Sequence, residues 1–525
     1  MHIISGHFTR RARTLSASLP ILFIALIMIL AACGGTSPAV TPSKYGGKIK
    51  AGLGADVVTL DPIKSTALVD RQVMLNLYDT LVKVDQQNNI VADLATSWTY
   101  ASPTQLIFTL RTDVKFQDGT PFNADAVVFN INRILSTPSS PRFSEISSVE
   151  SVQTVDASHV QFNLKKPFSP LLATLSDRSG MILSPTALKK GTNVDSAPLN
   201  AGSGPFEFVE WVKGDHLTIK RNPNYWLKDD QGNQLPYLDS ITYHPITNGS
   251  VMFNNLETSN INVADGIAPT DVANAKANPS LVYKQAPGLS FGGFMLNVKT
   301  PPLDNVHVRR AIAWGTNRQE ILHTVFQDIG VLSQGPIPPS SWAYSSSFAP
   351  YSYNVANAKA ELAQAGVSNV TFTLLISSGS PTTTQEAQFI QAELQAAGIT
   401  MNIKQETFAT ILSDTQAHKF QAALIGWSGR PDPDGNMYSW FHTGGGNNNM
   451  QYSNPQVDSL LDAARLSTDK TQRASDYQQA QQLILQDSPY VFIDFGVTAQ
   501  ITTSNIKNFT LFPTGIINYT SVYVG

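Results

Sequence analysis

Apolar residues along this chain recur at two spacings, and the spacing changes midway. In "LIFTLR", Leu106, Phe108 and Leu110 fall on one face and Ile107, Thr109 and Arg111 on the other, the alternation of a half-buried strand. The stretch "KFQDGTPFNADAVVFNINR" follows. Asp118-Gly119 is turn chemistry, and Asn123 is placed to cap a helix with its side-chain oxygen. Val127, Ile131 and Ile134 then recur at helical spacing. "KIKAGLG" reads as a strand and residues 71–82 as a helix. Residues 203–226 read as two strands around Gly214-Asp215. Sheet-rich segments with a few helices thus fill the first half.

Beyond residue 369 the rhythm becomes strand, helix, strand, helix, strand. The segments are 369–377, then 382–398 closed by Gly398, then 399–406, then "FATILSDTQAHKF", then 421–427. That order predicts a parallel sheet with helices on its faces. Ligands of such sheets sit beyond the carboxyl ends of the strands, which directs attention to whatever follows Trp427.

A chain of 525 residues exceeds what one hydrophobic core supports. Charged residues make up 14% and the net charge is −3. Arg10, Arg11 and Arg13 stand in a leader without acids, leaving −6 on the remainder. A negative balance argues against nucleic acid, which is bound by a surplus of Lys and Arg, and against attraction to anionic lipid.

The leader continues as "LPILFIALIMILAAC". Its apolar run is about 21 Å long as a helix, short of a bilayer core of roughly 30 Å, so it reads as a signal peptide over residues 1–32. "LAAC" resembles a lipobox, and Cys33 is the single cysteine, expected to be lipidated. One thiol excludes an internal disulfide and a multi-cysteine metal site. Gly, Ser, Thr and Pro dominate residues 33–47, a tether.

Catalytic motifs fail on their context. "GLSFG" around Ser290 matches a nucleophile elbow, but Phe294, Leu296 and Val298 continue as a strand rather than a helix. "DPDGN" (432–436) has Met437 and Thr443 where a calcium loop needs Gly and Glu. The nine histidines form no HExxH pair, and there is no P-loop or dinucleotide fingerprint. No catalytic residue, metal site or cofactor is expected. "GWSGRPDPDGNMYSWF" (426–441) survives as a ligand loop. Its prolines stiffen it, Trp427, Tyr438 and Trp440 offer flat apolar area, and Asp432 and Asp434 can meet a cation. Ordinary Pro-Asp turn chemistry is the competing reading.

Several segments, in order, resemble the solute-binding lipoproteins of ABC importers in the dipeptide/oligopeptide/nickel group (family 5). They are "TLDP", "LYDTLV", "LATSW", "FTLRTDVKFQDGTPFNADAVVFNINR", "GSGPFEF", "RNPNYW", "PPLDNVHVRRAIAWGTNRQEIL", "QYSNPQVDSLLDAA" and "DSPYVF". The resemblance spans nearly the whole mature chain. It implies an α/β, two-lobed periplasmic-binding-protein-like fold (type II) with an extra subdomain in the first lobe. Lobe I is expected over 48–287 plus 490–525, with the subdomain inserted at about 80–200, and lobe II over 288–489. It further implies an extracytoplasmic, lipid-anchored monomer that is not an enzyme, with importer permease subunits as partners. The expected solute is a di- or oligopeptide; the alternatives are an oligosaccharide, a nickel chelate or another solute, and, in other classes, a surface-anchored hydrolase or a ligand-reporting interaction protein. In this group an acidic residue of the loop matching 426–441 often meets a peptide's amino terminus. Asp432 and Asp434 both match, and Arg430 departs from the pattern, placed either to hold a carboxylate or to neutralise Asp432. Asp56, after the first strand, and Trp342 and Tyr344, in a Pro/Ser-rich segment, complete the expected pocket.

Overall fold

The computed structural model describes residues 44–348 and 351–525. The signal peptide, Cys33 and most of the tether lie outside them. Lys44–Gly525 forms one compact unit, and its secondary structure gathers around two sheets.

A seven-stranded sheet runs in the order Leu281–Pro287, Val497–Thr503, Val263–Ala264, Lys48–Leu53, Ser240–Pro245, His216–Arg221 and Phe206–Val212. The first strand of the chain is central, parallel to both neighbours, while the outer pairs are antiparallel. Its inward residues Ile49, Ala51 and Leu53 meet Val73 and Leu77 of the helix Leu68–Leu77 in one core. That helix is shorter than its apolar spacing predicts. It stops at Leu77, and Val82–Val84 is already a strand, because Tyr78 turns inward to donate to the Leu60 carbonyl at 3.0 Å.

Between the strands of this sheet the chain makes an antiparallel four-stranded sheet, Ala95–Ser102, Gln105–Leu110, His159–Leu164 and Val149–Asp156 in spatial order. The helix Ala124–Leu135 covers it. Asn123 caps that helix, its side chain accepting from the Ala126 N–H at 3.1 Å. Val127, Ile131 and Ile134 are buried with Phe108 and Phe162 in a separate core. The segment is architectural, as its alternation and capping indicate.

The five-stranded sheet has the order Ile399–Glu406, Val370–Ser377, Ala422–Leu424, Gly293–Leu296 and Tyr490–Phe492. The first three are parallel, joined by the helices Pro381–Ala396 and Phe408–Gln416, as the alternating rhythm predicts. Leu374 and Ile376 face one core and Leu375 the other; burial on both faces explains why this strand reads as an almost unbroken apolar run. Tyr490–Phe492 pairs with Gly293–Met295. The second sheet therefore extends past residue 490, where the sequence reading places the return to the first lobe, and the chain rejoins the seven-stranded sheet at Val497.

Gly293 has φ +139°, and a Cβ there would lie 2.0 Å from the Val491 carbonyl oxygen. Gly293→Ala should therefore force the two strands apart and destabilise the protein by about 2 kcal/mol or more, read as a lowered thermal midpoint.

Candidate ligand site between the lobes

The site grows from the end of the strand Ala422–Leu424. Trp427 and Phe291 exchange backbone hydrogen bonds at 2.9 and 3.1 Å, which fixes where the following loop starts. Trp427 then packs edge-on against Trp440, with ring centroids 5.5 Å apart, and Phe291 stands 5.4 Å from both Trp440 and Tyr490. "DPDGN" is not a solvated turn: Asp434–Phe441 is a buried helix, whose Asn436 accepts from the Trp427 indole N–H and the Arg430 backbone N–H.

The charged residues of this loop are all engaged. Asp434, 5% exposed, takes two hydrogen bonds from Arg465, both 2.8 Å. Asp432 accepts from Arg473 at 2.6 Å. Burial raises its carboxyl above the usual range, and Arg473 offsets part of that. Arg430 crosses to the first lobe, its Nε 3.0 Å from Asp177 Oδ2, while Arg71 Nε approaches the same oxygen at 2.7 Å. Burial alone would push Asp177 up, but Arg430, Arg71 and Arg178 outweigh it and hold the carboxyl far below the usual range. Arg430 does not neutralise Asp432, which is held by Arg473; its ion-pair partner is Asp177.

Further bonds join the lobes beside this pair. The Gly446 N–H donates to Ser144 Oγ at 3.0 Å, Arg465 Nη1 donates to the Ser144 carbonyl at 3.3 Å, and the Ser169 N–H donates to the Arg465 carbonyl at 2.9 Å. The lobes are in contact, and two cavities are each lined by residues of both. One, of about 350 Å³, is lined by Thr66 and Ala67 from the first lobe and by Phe291, Trp427, Trp440 and Asp494 from the second. The other, of about 940 Å³, is lined by Tyr100, Phe168, Trp342, Asp432 and Arg473, among others.

The predicted residues therefore scatter. Trp427 and Trp440 line the smaller cavity. Asp432 and Trp342 line the larger one, where Trp342 lies beneath Arg473 at 5.1 Å. Tyr438 stacks on His442, centroids 4.1 Å apart, with the Arg465 guanidinium over its ring. Tyr344 packs near Phe495, half-buried. Asp56 accepts from Trp211 Nε1 and the Gly214 N–H and lines neither cavity. Sequence reasoning missed Asp494, Phe291 and Asp177. The signal for Asp494 was a lone acid directly after the apolar run "YVFI", at the carboxyl end of a strand.

Among the described residues, no group of three or more His, Cys, Asp or Glu is placed to hold a metal ion, and no helix is long and apolar enough to cross a membrane.

Two contacting lobes around aromatic-walled cavities define a solute receptor, and comparison with known proteins agrees. The family described as "Bacterial extracellular solute-binding proteins, family 5 Middle" matches residues 89–448. The chain is 31% identical to the "Probable D,D-dipeptide-binding periplasmic protein DdpA" of Escherichia coli K12 over 84% of this chain and 87% of that one. It is 30% identical to the glutathione-binding protein GsiB of Salmonella typhimurium over 92% and 95%. Among solved structures, DppA of Helicobacter pylori in complex with the peptide STSA superposes with TM-score 0.84 at 25% identity, covering 91% of this chain and 98% of that one. AppA of Bacillus subtilis with a nonapeptide gives 0.84 at 25%, covering 92% and 99%. The protein belongs to the family 5 extracellular solute-binding proteins. Its family comprises substrate-binding components of ABC importers rather than enzymes.

Asp434→Asn should leave the Arg465 guanidinium buried without its counter-charge, a loss of about 3–5 kcal/mol, read as a lower thermal midpoint. Asp432→Asn, at a side chain 15% exposed, should cost less.

Proposed function

We propose that this protein is a lipid-anchored, extracytoplasmic receptor that closes its lobes over a short peptide and delivers it to the permease subunits of an ABC importer. The carrying observation is the cavity of about 350 Å³ at the lobe boundary, walled by Phe291, Trp427 and Trp440 and open to Asp494. Small-molecule sites run from about 300 to 1,000 Å³, mostly apolar with a few placed polar groups, so a dipeptide-sized guest fits this one. The relatives named for a D,D-dipeptide and for glutathione, and the neighbours solved with peptides, support the same ligand class.

Binding needs no reactive group. Desolvated aromatic faces and charged hydrogen bonds supply the differential affinity for the closed form. The carboxylates of the loop 426–441 serve this site indirectly. Asp434 and Asp432 hold the loop to Arg465 and Arg473, which keeps Trp427 and Trp440 in place.

Isothermal calorimetry on the full-length protein in detergent should give heat with di- to pentapeptides. Heat only with an oligosaccharide or a nickel chelate would reassign the solute. The anchor has its own test: labelling cells with a radioactive fatty acid should mark the parent protein and leave Cys33→Ser unlabelled.

A further inference from the structure

The subdomain built on the four-stranded sheet contributes no residue to the smaller cavity, whose first-lobe wall is Thr66, Ala67 and Leu68. It nevertheless holds that wall. Residues 61–67 lead into the helix Leu68–Leu77 and cross between two cores: Ile63 is buried with the subdomain, and Ala67 with the seven-stranded sheet. Three subdomain side chains fasten this segment. Arg133 forms an ion pair with Asp61, and Ser140 Oγ donates to the Ile63 carbonyl. Arg178 donates through Nε to Ser65 Oγ at 3.1 Å and through Nη2 to the Ala67 carbonyl at 2.7 Å. Ser65 Oγ donates in turn to Asp70, in the first turn of the helix, at 2.9 Å.

The same subdomain meets the second lobe. Asp177, the residue before Arg178, takes Arg430 Nε at 3.0 Å. Ser144 accepts from the Gly446 N–H and, through its carbonyl, from Arg465. Ser169 donates to the Arg465 and Ser467 carbonyls. Asp177 and Arg178 do not move independently. Leu175 and Ile182, on either side of them, are buried in the subdomain core. The Asp177 side chain also accepts from the Arg178 N–H at 2.7 Å, capping the turn Arg178–Gly180. One carboxylate bonded to the second lobe and one guanidinium bonded to the cavity wall thus share a single fixed turn.

We propose that Arg178 is a positioning residue that couples the lobe contact to the cavity wall: Asp177 receives Arg430 from the second lobe, and Arg178 carries that constraint to Ser65 and Ala67. The inserted subdomain is then the transmission between the lobes. This coupling goes beyond the receptor reading and needs no particular solute. A guest that displaces Thr66 or Ala67 is felt at Arg430, and loss of Arg430 is felt at the wall. One direct bond from the second lobe, Gln416 Nε2 to Thr66 Oγ1 at 3.3 Å, stays in place in every variant below.

The test is amide hydrogen exchange read by mass spectrometry on the full-length protein in detergent, with no solute added. It follows residues 61–67, where the Lys64 and Ser65 N–H groups bond to the Asp61 carbonyl and report local opening. Arg178→Lys keeps a counter-charge for Asp177, but its single ammonium does not span both acceptors. Exchange at 61–67 should rise about tenfold in it, as loss of a charged hydrogen bond implies. Arg430→Met, at a side chain that bonds to none of these residues, should raise it about threefold or more. Arg430→Met added to Arg178→Lys should raise it no further, because the link is already broken, whereas two separate structural roles would add. The strand Lys48–Leu53 should exchange as in the parent, which shows that the variants are folded. If Arg178→Lys loses that protection, the cycle is run with Ser65→Ala, which removes the Nε acceptor and leaves every charge in place. Unchanged exchange at 61–67 in Arg430→Met, or additive effects in the double variant, overturns the coupling and leaves the receptor reading intact.

Discussion

Much of this structure depends on one constraint: a guanidinium taken out of water needs a carboxylate. Arg71 and Arg178 are each 1% exposed and Arg430 is 8% exposed. All three converge on Asp177, which neighbouring positive charge keeps ionised. Because Arg430 belongs to the second lobe and Asp177 to the first, satisfying Arg430 also fixes how the lobes meet. The loop carrying Arg430 is held in turn by Asp434 to Arg465 and by Asp432 to Arg473. Its aromatic residues are presented to the cleft by charges that do not themselves enter the smaller cavity.

The same constraint separates structural from functional charge. A carboxylate already bonded to a buried guanidinium has little left to offer a guest, since recruiting it would strand the arginine. Asp434 is in that position, with both oxygens taken. Asp494, which lines the smaller cavity, has no guanidinium partner among the described residues.

The sequence showed the scaffold well and the partners of the loop's charged residues poorly, for a physical reason. Alternation in "LIFTLR", the Asn123 cap and the strand-helix rhythm beyond residue 369 are local signals, and local signals survive folding. The pairing of Asp434 with Arg465 and of Asp432 with Arg473 is set by the antiparallel packing of the helices Pro455–Leu466 and Lys470–Asp487 beside the loop; no local pattern encodes it. The loop's acidic residues were conspicuous and drew the candidate site to themselves. Asp494 stood alone between apolar residues, and only the folded chain shows that it lines the cavity, over Gly292. The helix Asp434–Phe441 was hidden because Pro-Asp-Gly is turn chemistry in isolation, and only burial of Met437, Trp440 and Phe441 in the core makes it a helix.

The contact between the lobes follows from the balance of these terms. An ion pair buried between lobes gains Coulomb energy but loses the hydration of both charges, and the two roughly cancel. Arg430 and Asp177 therefore specify how the lobes meet without strongly stabilising the contact.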